Sequence, residues 1–100
     1  MVATTTRIAT PNGRRYLTQL CKHWAHKFAV THGDDRGTVP FAADRRCLLA
    51  ADADGLDLTI EAPDEETGTR LQGVVIEHLK RFAFREDLGE AAWSPAIPAA

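Results

Sequence analysis

The stretch Arg45 to Ala62 limits the fold more than any other part of the chain. Asp54-Gly55 is a strong hairpin signal, and it stands between two runs of strand-forming residues. After the turn the chain alternates strictly, with Leu56, Leu58, Ile60 and Ala62 on one side and Asp57, Thr59 and Glu61 on the other. Before it, Cys47, Leu49 and Ala51 share one side and Arg46, Leu48 and Ala50 the other. A period of two with one apolar face specifies an antiparallel sheet that is wet on one side. The apolar side needs a cover, and the rest of the chain has to supply it.

Two amphipathic stretches fit that need. In Tyr16 to Phe28, YLTQLCKHWAHKF, apolar residues recur at three-to-four spacing. At roughly 100° per residue, Leu17, Leu20, Cys21, Trp24 and Phe28 fall within a wedge about 100° wide. Arg15, Gln19, Lys22 and His26 point away from that wedge, His23 sits on one shoulder, and Lys27 lies beside the seam. This helix is expected to start at Asn12 or Gly13 and to end by Thr31-His32-Gly33, with the glycine as its exit. A second helix opens at Pro63-Asp64-Glu65-Glu66, with proline in the first turn and carboxylates at the positive end of the dipole. Leu71, Val74, Val75, His78 and Phe82 share its apolar face.

Ala3 to Thr10 reads as a further strand, stopped by Pro11-Asn12-Gly13. Thr38 to Ala42 reads as a short one in which Pro40, lacking a ladder donor, marks an edge or a bulge. After Arg85-Glu86 the periodicity decays, so 1–88 reads as a single domain and 89–100 as a flexible Ala/Pro-rich tail carrying Trp93. The order is β-α-β-β-β-α. Two helices on one face of an antiparallel sheet bury every apolar stripe, which makes the expected fold an α+β two-layer sandwich. Leu48 and Ala50 make its open face a candidate homodimer surface.

Charge is distributed unevenly. The net charge is only −2, so no global field draws the chain to nucleic acid. No acidic residue precedes Gly33, however, whereas Asp34, Asp35, Asp52, Asp54, Asp57, Glu61, Asp64, Glu65 and Glu66 crowd the middle. The first helix therefore carries its cations without internal partners. A helix, three strands and a helix also occur in double-stranded-RNA-binding modules, but Asp64, Glu65 and Glu66 would repel phosphate at the second helix. No run approaches the roughly 18 apolar residues of a membrane span, and the start lacks a signal peptide's apolar core. The expected setting is the cytoplasm, with neither membrane nor nucleic acid as partner and with Cys21 and Cys47 as free thiols.

Reactive groups give no catalytic constellation. Cys21, His23 and His26 have the look of a metal string, but Cys21 lies on the buried wedge and His26 opposite it. His23 and His26 alone supply two ligands, too few for a closed site, and no metal or cofactor is expected. His78 reads as a core imidazole held by a hydrogen bond. Asp52-Ala53-Asp54-Gly55 with Glu61 matches part of a calcium loop, but Ala50 occupies the first ligand position and the flanks are strands. No phosphate loop and no nucleophile elbow is present.

Taken together, TPNGRRYLTQLCKHWAHKF, RRCLLADADGLDLTIEA and LQGVVIEHLKRFAFRE resemble a bacterial family known as domain of unknown function 2218. The resemblance spans about residues 4 to 86. It implies a small α+β protein associated with reductases of the siderophore-interacting type. On that analogy the chain is expected to be a non-enzymatic accessory protein in iron–siderophore handling. Arg15, Lys22, His23, His26 and Lys27 would meet an iron chelate or the reductase itself. The alternative is a small metal- or thiol-dependent enzyme using the His23/His26 pair.

Overall fold

The computed structural model describes residues 1–99. Its elements are β1 (Val2–Ala9), α1 (Gly13–Trp24), β2 (Thr31–His32), β3 (Arg36–Ala42), β4 (Arg45–Ala51), β5 (Gly55–Ala62), α2 (Glu65–Phe82) and β6 (Ile97–Pro98). The strands form one antiparallel sheet in the order β2-β3-β4-β5-β1-β6. The expected α+β sandwich with both helices on one face is the observed one, extended by the two-residue strands β2 and β6. α1 packs on β3, β4 and β5, α2 packs on β5 and β1, and the helices touch each other.

The register explains why one face is dry. Val39, Cys47, Ile60 and Thr4 stand opposite one another across four strands, as do Leu49, Leu58 and Thr6 across three, and all are buried. Leu17, Leu20, Cys21 and Trp24 from α1 and Leu71, Val75 and Leu79 from α2 close over them. On the open face charged and polar side chains alternate with apolar ones, with Arg46 opposite Glu61, Leu48 opposite Thr59, Ala50 opposite Asp57, and Arg7 opposite Asp57. Opposite charges at directly paired positions stabilise the ladder they lie on. Pro40 sits where the β3–β4 register shifts, beyond the reach of β2, so its missing N–H costs no ladder bond.

Three expectations need correction. α1 ends at Trp24, one turn before Phe28, and Gly33 is not its exit. Ala25, Lys27 and Phe28 still bond back to Cys21 and Trp24, but β-branched Val30 and Thr31 then turn the chain into β2 against β3. Gly33 closes the β2–β3 hairpin by donating to the Arg36 carbonyl at 2.8 Å.

The buried stripe of α2 also differs, being Leu71, Val75 and Leu79. Val74 is 38% exposed and His78 lies at the border with α1. Spacing of four along the helix sets this stripe, and it turns the flank bearing His78 and Phe82 toward α1.

The third correction concerns residues 89–99 of the 89–100 segment, where a flexible tail is expected, Ala100 lying outside the described residues. Ala91 and Trp93 pack on the core beside Leu88, Ser94 exchanges two hydrogen bonds with the Thr5 backbone, and Ile97–Pro98 pair with Val2 and Ala3. The buried threonines of β1 draw this segment in, since Thr6 donates to the Ala92 carbonyl at 2.9 Å. A buried hydroxyl requires such a partner.

Gly13 marks the tightest helix–sheet contact. A Cβ there would lie 2.5 Å from the Gly55 carbonyl oxygen, which is itself held by the Asp52 N–H at 3.0 Å. Gly13→Ala, which at an open helix position would gain up to about 1 kcal/mol, is expected to destabilise the protein by about 1–3 kcal/mol through overpacking. The midpoint of urea unfolding measures it, and a rise would contradict the contact.

Candidate functional site

The cations of the first helix have no internal partners. Among the described residues Arg7, Arg45, Arg46, Arg70 and Arg81 form ion pairs, whereas Arg14, Arg15, Lys22 and Lys27 form none. On α2 the sequence supplies a carboxylate four residues before each paired arginine, Glu66 for Arg70 and Glu77 for Arg81. α1 has no carboxylate to offer. Lys22 and His23 lie in its last turn, where the negative end of the dipole favours positive charge.

All five sequence candidates, Arg15, Lys22, His23, His26 and Lys27, are exposed. Arg15, Lys22 and His23 lie on α1, while His26 and Lys27 lie in the turn that follows, so the helical wheel does not govern those two. Lys27 stands 5.9 Å from the Phe28 ring centroid, a cation–π distance.

His23 meets a group that the wheel does not reveal. Its ring centroid is 5.2 Å from that of His78 and 5.9 Å from that of Phe82. His78 is in turn 5.2 Å from Trp24, which meets Phe41 edge-on at 5.1 Å, and Phe41 meets Phe28 at the same distance. Six rings thus run in a strip from the turn after α1 across to α2. His78 is not a core residue but half-buried, and its Nδ1 lies 2.7 Å from the Val74 carbonyl oxygen. A carbonyl only accepts, so Nδ1 carries the proton and Nε2 keeps its lone pair in the neutral ring. His78 sits on the apolar flank of its helix, a signal visible in the sequence. The offset between the two helices, which brings it to His23, is not.

The thiols are elsewhere. Cys21 and Cys47 are free and buried between α1 and the sheet. Burial pushes the Cys21 thiol up to about 11, and it raises Cys47 as well, with Cys21 a second contribution. Such groups are small hydrophobes rather than nucleophiles. The calcium-like segment is a hairpin turn whose Asp52 is held by Arg7 at 2.9 Å and lowered to about 2, first by that bond and then by the Asp54 N–H. No cluster of three or more His, Cys, Asp or Glu side chains among the described residues is arranged for a metal ion.

One polar node escapes sequence reasoning altogether. The Glu86 carboxylate accepts from the hydroxyls of Thr10 and Tyr16 and from the Asn12 side-chain amide. Asn12 is the residue that precedes α1, yet its side chain makes no cap bond within the helix. These bonds, that from Tyr16 foremost, hold the Glu86 carboxyl below the usual range, while burial and then Glu86 raise Tyr16. The donors come from three positions far from Glu86 in sequence, with no spacing to betray them.

With this geometry in view, the chain can be placed among known proteins. The sequence profile described as "Uncharacterized protein conserved in bacteria (DUF2218)" matches residues 5–94. The chain belongs to the DUF2218 family. A DUF2218 chain is thus shown to build an α+β sandwich whose C-terminal segment is part of the sheet. A solved structure of similar fold is the NMR structure of PA4090 from Pseudomonas aeruginosa. It is 38% identical, with a TM-score of 0.80 over 95% of this chain and 97% of that one. No curated protein matches. No helix among the described residues is long and apolar enough to cross a membrane.

Glu86→Ala strands three donors and is expected to cost about 1–3 kcal/mol, measured by urea unfolding. Because the folded pKa of Glu86 is depressed, its contribution is complete above the ordinary glutamate pKa and is lost as the pH falls through the folded value. Glu86→Gln should accordingly flatten the acid side of the stability profile from the ordinary glutamate pKa downward. An unchanged profile would contradict the node. Both thiols should react with a disulfide reagent only after unfolding, and fast labelling of the native chain would contradict their burial.

Proposed function

We propose that this DUF2218 protein is a non-enzymatic binding protein that takes an anionic partner on the exposed side of α1. Iron–siderophore handling is the setting proposed for it, with a ferric chelate or a siderophore-interacting reductase as the partner. The observation that carries the reading is the contrast between helices. Among the described residues, Arg70 and Arg81 on α2 are paired within their own helix and Lys80 alone is not, while Arg15, Lys22 and Lys27 are all exposed and unpaired. Catecholate and carboxylate groups complement such cations through charge-assisted hydrogen bonds. His23 and His26, also exposed, add polar nitrogens near Lys22 and Lys27 in the chain.

The reading as a metal- or thiol-dependent enzyme using His23 and His26 has less support, because the thiols are buried with raised pKa values. Pairing of two copies through the open sheet face is a separate proposal, supported by Leu48 and Ala50 at its centre. Sedimentation decides that question.

The double variant Lys22→Glu, Lys27→Glu is expected to weaken binding of a ferric tris-catecholate, or of the reductase, by about tenfold or more. The native interaction should also weaken with added salt. Unchanged affinity for both ligands in the folded double variant would overturn the reading.

A further inference from the structure

The imidazoles of His23 and His78 come from different helices and from residues far apart in sequence, yet their ring centroids are 5.2 Å apart. A metal bound to an imidazole nitrogen lies roughly 3.2 Å from the ring centroid, so two rings on one tetrahedral ion have centroids roughly 5.2 Å apart. The observed separation matches that of two imidazoles on one tetrahedral ion. His78 is also prepared as a ligand is. Its Nδ1–H is given to the Val74 carbonyl at 2.7 Å, which fixes the tautomer and leaves the Nε2 lone pair free. Trp24 and Phe82 flank the pair, 5.2 Å from the His78 ring and 5.9 Å from the His23 ring. His23 is exposed and makes no hydrogen bond among the described residues, so its ring can turn a nitrogen toward the same point.

We propose that His23 and His78 form a two-imidazole site for a divalent transition metal of the copper or zinc kind. The solvent side of the ion is left to water or to donors of an incoming ligand. Imidazole nitrogen selects such ions over magnesium or calcium, and copper binds such donors most tightly. Lys22 in the last turn of α1 and Lys27 in the turn that follows are unpaired cations, which favour an ion that brings anionic donors with it. The site does not depend on the anion-binding reading, and its test uses the metal alone.

Copper(II) bound there would quench Trp24, whose ring is 5.2 Å from that of His78. In Trp93→Phe protein, one equivalent of copper(II) is expected to quench Trp24 in a saturable way. His23→Gln and His78→Gln should each weaken binding at least about tenfold, with His26→Gln and His32→Gln unchanged. Electron paramagnetic resonance should show two nitrogen donors. Quenching that survives both His23→Gln and His78→Gln, or that vanishes in His26→Gln or His32→Gln, overturns the proposal, as does the absence of saturation. If Trp93→Phe fails to fold, paramagnetic broadening of the two histidine ring signals in the native protein reads the same event. If His78→Gln fails to fold, the exposed His23→Gln carries the comparison.

Discussion

A single carboxylate joins the two ends of this fold. Glu86 follows α2, but its donors are Thr10 at the end of β1, Asn12 before α1 and Tyr16 in the first turn of α1. The N-terminal turn of α1 is thus oriented from across the chain rather than by its own cap. Gly13 completes the arrangement, because only a residue without Cβ lets that turn approach the Gly55 carbonyl. The start of α1 fixes its direction across the sheet, and its direction brings His23 to His78.

The same dependence runs along β1. Thr4, Thr6 and Thr10 are buried, and each hydroxyl is satisfied by a group from the C-terminal third: Gln72, the Ala92 carbonyl and Glu86. A strand that looks polar in sequence is therefore half of an interior polar seam. The other side of β1 treats its charge differently, with Arg7 shared between Asp52 and Asp57. The acidic middle of the chain is partly spent on the sheet's own arginines, and the cations of α1 are left over.

Much of this was legible beforehand because the signals were local. Alternation in Leu56 to Ala62 fixed the dry face, Asp54-Gly55 the hairpin, and Asp64 the start of α2, where it accepts from the Thr67 N–H at 2.8 Å. Pro40 marked the register shift. What stayed hidden depends on distance in sequence. Phe28 keeps the helical spacing although the helix has ended, because burial against Phe41 does not require helical backbone. The C-terminal segment has no periodicity, and its order comes from hydroxyls and backbone of β1. Of the candidate site, the unpaired cations followed from composition alone, since no acidic residue precedes Gly33. The His23–His78 contact needed the relative placement of two helices.

The two outermost strands, β2 and β6, contain two residues each. A sheet normally recruits foreign chains through long unpaired edges. Here one edge is short and backed by proline, and the other is occupied by the chain's own C-terminal segment. Edge strands of two residues each offer little backbone for growth into fibres or mixed sheets. Side chains on the two broad surfaces can discriminate by charge and shape in a way that a bare amide ladder cannot.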